Sequence, residues 1–186
     1  MTHPSAERDA LLDTALHLGL HRGWHSFSLR ELAEVRELPL ATLNRHFRSR
    51  DDLAEALFDR ADDALLGLPL DPQEPMRERL LTGIMVWLDY LAPYRPLVKE
   101  MLGYKLEPGH LHLQAHGITR ISRTVQWLLE AADWQATGWR RSAAEVTLTG
   151  IYLTAVASFV VDTSDNLHTT RTLVHGLLGR SGRLLQ

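Results

Sequence analysis

The chain has 186 residues, enough for one large domain or a small domain joined to a larger one, with a sizeable core. Its 45% apolar and 23% charged residues are ordinary globular composition, which argues against disorder, and a net charge of −3 provides no global field for nucleic acid. Cysteine is absent, which excludes disulfides, thiol nucleophiles and cysteine-based zinc sites, and suits a reducing cytoplasm.

Apolar residues recur at spacings of three and four from end to end, and no stretch alternates long enough to demand a strand. An all-α fold is therefore expected. The opening MTHPSAERDALLD lacks a basic stretch ahead of an apolar one, so no secretion signal is read there. A first helix is predicted from about Ala6 to Arg22, with Leu11, Leu12, Ala15, Leu16 and Leu18 inward and Gly23 ending it. Ser28-Leu-Arg-Glu31 reads as a capping box, with Ser28 accepting from a backbone N–H and Glu31 reaching back, ahead of a short helix to about Val35.

After a tight connection at Arg36 to Leu38, Pro39 suits the first turn of another brief helix. Then Arg48-Ser49 before Asp51-Asp52 resembles a cap with two acids in the first turn of a fourth. Three short helices and a longer one are the outline of a helix-turn-helix head.

The stretch LPLATLNRHFRSRDDL, residues 38–53, holds three arginines and no acid between Pro39 and Arg50 in an otherwise acidic chain. Leu43 and Phe47, four apart, can anchor the helix to a brace formed by Leu29, Leu32 and Ala33. Thr42 can donate to a phosphate, and Asn44 can contact a base edge or a phosphate. Arg45, Arg48 and Arg50 can neutralise backbone charge, and Arg30 and His46 complete the candidate DNA-binding set. A solvated basic helix face is the bland alternative.

The run GLPLDPQEP, with its three prolines, breaks the fourth helix and marks a boundary. A head over residues 1–50 and a body over 51–186 are expected, joined by the fourth helix at about 51–66. In the body, Leu80, Leu81, Ile84, Trp87, Leu88 and Leu91 mark one helix, and Ile118, Ile121, Val125, Leu128 and Ala132 another. Ala143 to Val161 marks a third, and Leu167 to Leu178, after the capping-type segment Asp162-Thr-Ser-Asp165, the last.

Core packing is the ordinary role of tryptophan, yet Trp87, Tyr90 and Trp127 lie in central helices and are candidates to line an apolar ligand cavity with Met101 and Tyr104. Val146 to Val161 is uncharged. It is short for a membrane span and contains Thr147, Thr149, Gly150, Thr154 and Ser158, so a helix buried on more than one face is expected, without membrane insertion. One of its neighbours can be its own copy in a second subunit, and Ile151, Tyr152, Ala155 and Phe159 with Leu173, Val174 and Leu177 form the expected interface of a homodimer.

His112 and His116 share a helical face near His110, but no carboxylate lies close in sequence, and no metal site is expected. The glycines at 176, 179 and 182 follow a helix without preceding one, which does not fit a phosphate loop. No nucleophile elbow, Walker lysine or paired carboxylates in an apolar setting appear. The reading is a non-enzyme without a cofactor.

The spacing of Ser28-Leu29-Arg30-Glu31-Leu32-Ala33, Leu38, Thr42-Leu43, His46-Phe47, Ser49-Arg50 and Leu53 resembles the DNA-binding head of the TetR family of one-component transcriptional regulators, over roughly residues 8–60. The resemblance implies a homodimer on operator DNA, acting as a repressor through a small-molecule effector held in a helical body. It also implies phosphate contacts from Thr42 and Arg50. The chain differs from the family pattern at Arg36-Glu37, where Ala-Gly is common, at Pro39, where a serine is common, and at Asn44, where a tyrosine is usual. The segment GIYLTAVASFVVDTSDNLHTTRTLVHGLL, residues 150–178, is similar to the C-terminal region of the TetR-like lipid-binding proteins of ubiquinone biosynthesis. That second resemblance implies an elongated apolar ligand, in a regulator or in an accessory protein that no longer binds DNA.

Overall fold

The computed structural model describes residues 4–106 and 111–182. Within them the chain is helical, with no strand. It divides into two compact units, one of residues up to Arg60 together with Tyr94–Tyr104, the other of Ala61–Pro93 with the residues from Lys105 onward.

In the first unit, α1 (Pro4–Arg22) stops at Gly23, whose φ of 93° is open to glycine, and the Gly23 N–H donates to the Gly19 carbonyl at 2.7 Å. The loop that follows buries Trp24 and Phe27 edge to face, with ring centroids 5.5 Å apart. Ser28 then caps α2 (Leu29–Val35), its Oγ accepting from the Glu31 N–H at 3.1 Å. Glu31 does not complete the box as expected: its carboxylate takes Arg22, at 2.7 Å.

Helix α3 (Leu40–His46) begins one residue after Pro39, which stays extended at ψ 139°. Helix α4 (Arg50–Leu66) begins with a reciprocal cap. Ser49 Oγ accepts from the Asp52 N–H at 3.0 Å, while the Asp52 carboxylate accepts from the Arg48 N–H at 2.7 Å.

Leu11, Leu12, Ala15, Leu32, Leu43, Phe47, Leu53 and Leu57 form the unit's core. The sequence reading misses one of its members. After α5 (Met76–Leu91) and a 3-10 turn at Ala92–Tyr94, α6 (Arg95–Leu106) buries Leu97, Val98 and Met101. Residues 94–104 belong to the first unit, and Glu100 accepts from the Trp24 N–H at 2.7 Å.

The second unit holds the end of α4, α5, α7 (Leu111–Ala131), α8 (Trp139–Val161) and α9 (His168–Arg180). Helices α5 and α7 cross at Gly83, where a Cβ would meet the Leu65 side chain at 3.0 Å and that of Leu128 at 3.1 Å.

Helix α8 is long and apolar enough to cross a bilayer by length and composition alone. It packs instead along α5, α7 and α9 and buries Ala144, Leu148, Ile151, Tyr152, Ala155 and Phe159. One stripe stays in solvent, with Val146 74% and Val161 69% exposed. The expected burial on more than one face therefore covers only part of the helix within a single chain.

Candidate nucleic-acid interface

The turn between α2 and α3 closes in a Schellman arrangement. The Leu38 N–H donates to the Ala33 carbonyl at 2.9 Å, and the Glu37 N–H to the Glu34 carbonyl at 3.0 Å. The motif needs a left-handed residue at its second position, and Glu37 provides it at φ 52° without being glycine. Beyond the turn, Leu43 is fully buried and Phe47 nearly so, with the Arg8 guanidinium 4.9 Å from the Phe47 ring centroid. These two anchors fix the rotation of α3 about its axis, turning Leu40, Ala41, Asn44 and Arg45 outward, with Arg48 just beyond.

The candidate DNA-binding residues separate into two groups. Arg30, Asn44, Arg45 and Arg48 are exposed. Arg45 donates to the Thr42 hydroxyl at 3.0 Å, which steadies its guanidinium on the outer face. Thr42, His46 and Arg50 are partly covered, and each is engaged inside the unit. His46 Nε2 lies 3.0 Å from Glu7 on α1 and keeps only 15% of its side-chain exposure. Arg50 donates to the carbonyls of His25 and Phe27 at 3.1 and 3.3 Å, tying the loop before α2 to the start of α4. Sequence separations of 39 and 25 residues keep these contacts out of reach of local pattern reading.

The five candidate ligand residues fall in different units. Met101 is buried in the first unit, and Tyr104 lies there with its ring centroid 5.3 Å from that of His25. Trp87, Tyr90 and Trp127 are in the second, where Trp127 is 42% exposed. The Trp87 ring sits edge-on to Tyr152 at 5.3 Å, and its Nε1–H donates at 2.8 Å to Asp62.

Sequence reasoning missed Asp62. Its carboxylate also accepts from Arg120 at 2.8 Å and from the Thr124 hydroxyl at 3.1 Å, and all three side chains are buried. Burial pushes the Asp62 carboxyl above the usual carboxylate range, against the opposing pull of Arg120 first and then of the Trp87 and Thr124 hydrogen bonds.

For the expected subunit interface, the single chain already buries Ile151, Tyr152, Ala155, Phe159 and Val174. These five are core residues: α8 turns the first four onto its own neighbours, and α9 buries Val174. Of the seven, Leu173 is exposed and Leu177 half-buried, and Val146, Leu153 and Val161 are the large apolar side chains that α8 leaves outward beyond Trp139.

The Asp162-Thr-Ser pattern is a helix corner. One Asp162 oxygen accepts from the Ser164 N–H at 2.8 Å and from its hydroxyl, the other from the Thr170 N–H at 2.8 Å and its hydroxyl at 2.7 Å. Burial opposes ionisation of Asp162, and these hydrogen bonds outweigh it, holding the carboxyl well below its usual range. Among the described residues, no group of three or more His, Asp or Glu could hold a metal. His110 and the side chains of His112 and His116 lie outside the described residues.

A short brace helix, a tight turn and a second helix whose exposed face carries Arg45, with Arg48 just past its end, define a helix-turn-helix protein, the class built to enter a major groove. Residues 11–57 match the family of bacterial regulatory proteins, TetR family. Over 96% of the chain and 99% of the other, the fold is similar to a TetR transcriptional regulator from Nitrosomonas europaea, at 35% identity and a TM-score of 0.83. The chain belongs to the TetR family. At 19% identity and a TM-score of 0.67, a regulator from Streptomyces coelicolor shares the fold over 100% of this chain and 88% of the other. A TetR-like regulator from Rhodococcus shares it at 20% identity and 0.54, over 95% and 96%. No curated protein matches the chain.

Proposed function

We propose that the chain is a ligand-responsive transcriptional repressor that binds operator DNA as a homodimer in the cytoplasm and catalyses no reaction. The observation that carries this reading is the outward face of α3, where Asn44 and Arg45 stand exposed, with Arg48 exposed just past the helix end, while Leu43 and Phe47 hold the helix against its brace. Arg45 and Arg48 are assigned to phosphates and Asn44 to a base edge. His46 and Arg50 are assigned mainly to positioning, through Glu7 and through the His25 and Phe27 carbonyls, while the Thr42 hydroxyl accepts from Arg45 and can still donate to a phosphate. The effector is an apolar small molecule or lipid, taken up in the second unit beside Trp87 and Tyr90. The two copies meet through the outward stripe of α8 and Leu173 of α9.

Fluorescence anisotropy with labelled fragments from upstream of the gene, at several salt concentrations, tests the regulator. Arg45→Ala and Arg48→Ala should each weaken binding to every sequence and flatten the slope of log K against log salt by about one unit. Absence of binding to any duplex at low salt would remove the regulator and favour the lipid-binding accessory protein.

A further inference from the structure

Leu40 opens α3 and is 43% exposed, although Arg30, Arg45 and Arg48 surround the same face with charge. Four residues on, Asn44 shares its flank of the helix. With Ala41 on α3 and with Leu29 and Arg30 on α2, they line a shallow depression whose walls are mostly aliphatic. Neither Leu40 nor Ala41 carries a side-chain donor or acceptor, so neither can pair with a base edge.

In the major groove, thymine's C5-methyl is the apolar feature among edges that otherwise present donors and acceptors. An aliphatic wall there gains by covering a methyl and loses by desolvating guanine O6 or adenine N6 without replacing their hydrogen bonds. We infer that Leu40, backed by Ala41 and Leu29, is a specificity-determining residue that reads the methyl group of a thymine in each operator half-site. The inference rests on the regulator reading and deepens it. One helical turn separates Leu40 from Asn44, roughly 6 Å along the helix. The base contacted by Asn44 therefore lies within about two steps of that thymine.

The test uses an operator selected by the full-length protein from random duplexes, followed by replacement of each thymine in one half-site, singly, by deoxyuridine. This change deletes the methyl and leaves base pairing intact. One position is expected to weaken wild-type binding about fourfold, the value of one buried methyl group. At that position Leu40→Ala should bind thymine and deoxyuridine duplexes alike. Leu40→Ala should keep the wild-type circular dichroism spectrum and salt dependence, because the side chain is exposed and uncharged. Equal wild-type affinity for thymine and deoxyuridine at every position would overturn the inference and leave the regulator standing. An equal methyl effect in wild type and Leu40→Ala would overturn the role of Leu40. Failure to select any duplex would overturn the regulator reading itself, and this inference with it.

Discussion

Asp62 shows how one buried residue can set the stability of the second unit. Three donors converge on its carboxylate, and burial still leaves its pKa raised. The folded chain therefore binds that proton more tightly than the unfolded chain does. The group's contribution is most favourable below the unfolded value of about 3.9 and is lost as pH rises through the higher folded value. Asp62→Ala should cost about 3–5 kcal/mol in urea unfolding, because Arg120 stays buried without this carboxylate. The double change Asp62→Leu with Arg120→Met should cost less than either single change, since it removes both desolvation penalties together. Additive costs would show that the pair is not coupled. Glu37 is the second residue-scale case. Its φ of 52° is strained for a residue with a Cβ, so Glu37→Gly should raise stability by about 1 kcal/mol. A thermal melt that does not rise would show that the turn absorbs the strain.

The corner between α8 and α9 depends on one carboxylate at the scale of the element. Asn166 and Leu167 both adopt φ near 50°, and Asp162 holds the turn by accepting from Ser164 and Thr170. Asp162→Ala should cost about 2–3 kcal/mol, a lost cap plus a lost charge-assisted bond. The pKa of Asp162 is lowered, so its contribution is present above about 3.9 and lost as pH falls below that through the folded value. Asp162→Asn should remove the part of the acid-side loss of stability that this group causes, as followed by circular dichroism between pH 5 and 2; an unchanged acid limb would reject the assignment. Corners of this kind are legible in sequence because their partners are near neighbours. Ser28, Ser49 and Asp162 all lie within eight residues of the groups they cap. Helix α6 is not legible in that way: burial of Leu97, Val98 and Met101 in the first unit, which takes in residues 94–104, decides its place. The inward face of α8 is hidden for the opposite reason, since a helix apolar all round has no period to show which stripe turns to the core. The outward face of α3 is legible from the spacing of Leu43 and Phe47. The inward engagement of His46 and Arg50 depends on residues from distant parts of the chain.

At the scale of the whole molecule, the stripe that α8 leaves in solvent is the proposed contact between the two copies. Val146, Gly150, Leu153, Ala157 and Val161 recur at spacings of three and four, all exposed and none charged. Leu173 of α9 adds a further exposed apolar side chain. Such a face costs free energy in water unless something covers it. In the proposed homodimer a second copy about a two-fold axis would cover it with its own equivalent, so one substitution would act twice in the dimer and not at all on the core of the monomer. Leu153→Glu places two like charges in that contact and should shift wild-type dimer to monomer in sedimentation at micromolar concentration, with its circular dichroism unchanged because Leu153 is 45% exposed. Phe159→Ala should do the reverse. Phe159 is fully buried within one chain, and its truncation should lower stability by about 3–5 kcal/mol before it touches assembly. A monomeric wild type, or a Leu153→Glu protein that remains dimeric, would move the interface off this stripe. If the stripe is the interface, Leu153→Glu should also weaken operator binding far more than any single head residue does. Each half-site would then be bound by an untethered head, without the high effective concentration that pairing supplies. The deoxyuridine effect at Leu40 should survive in that variant on a single half-site, because reading a methyl belongs to one head and affinity to the pair.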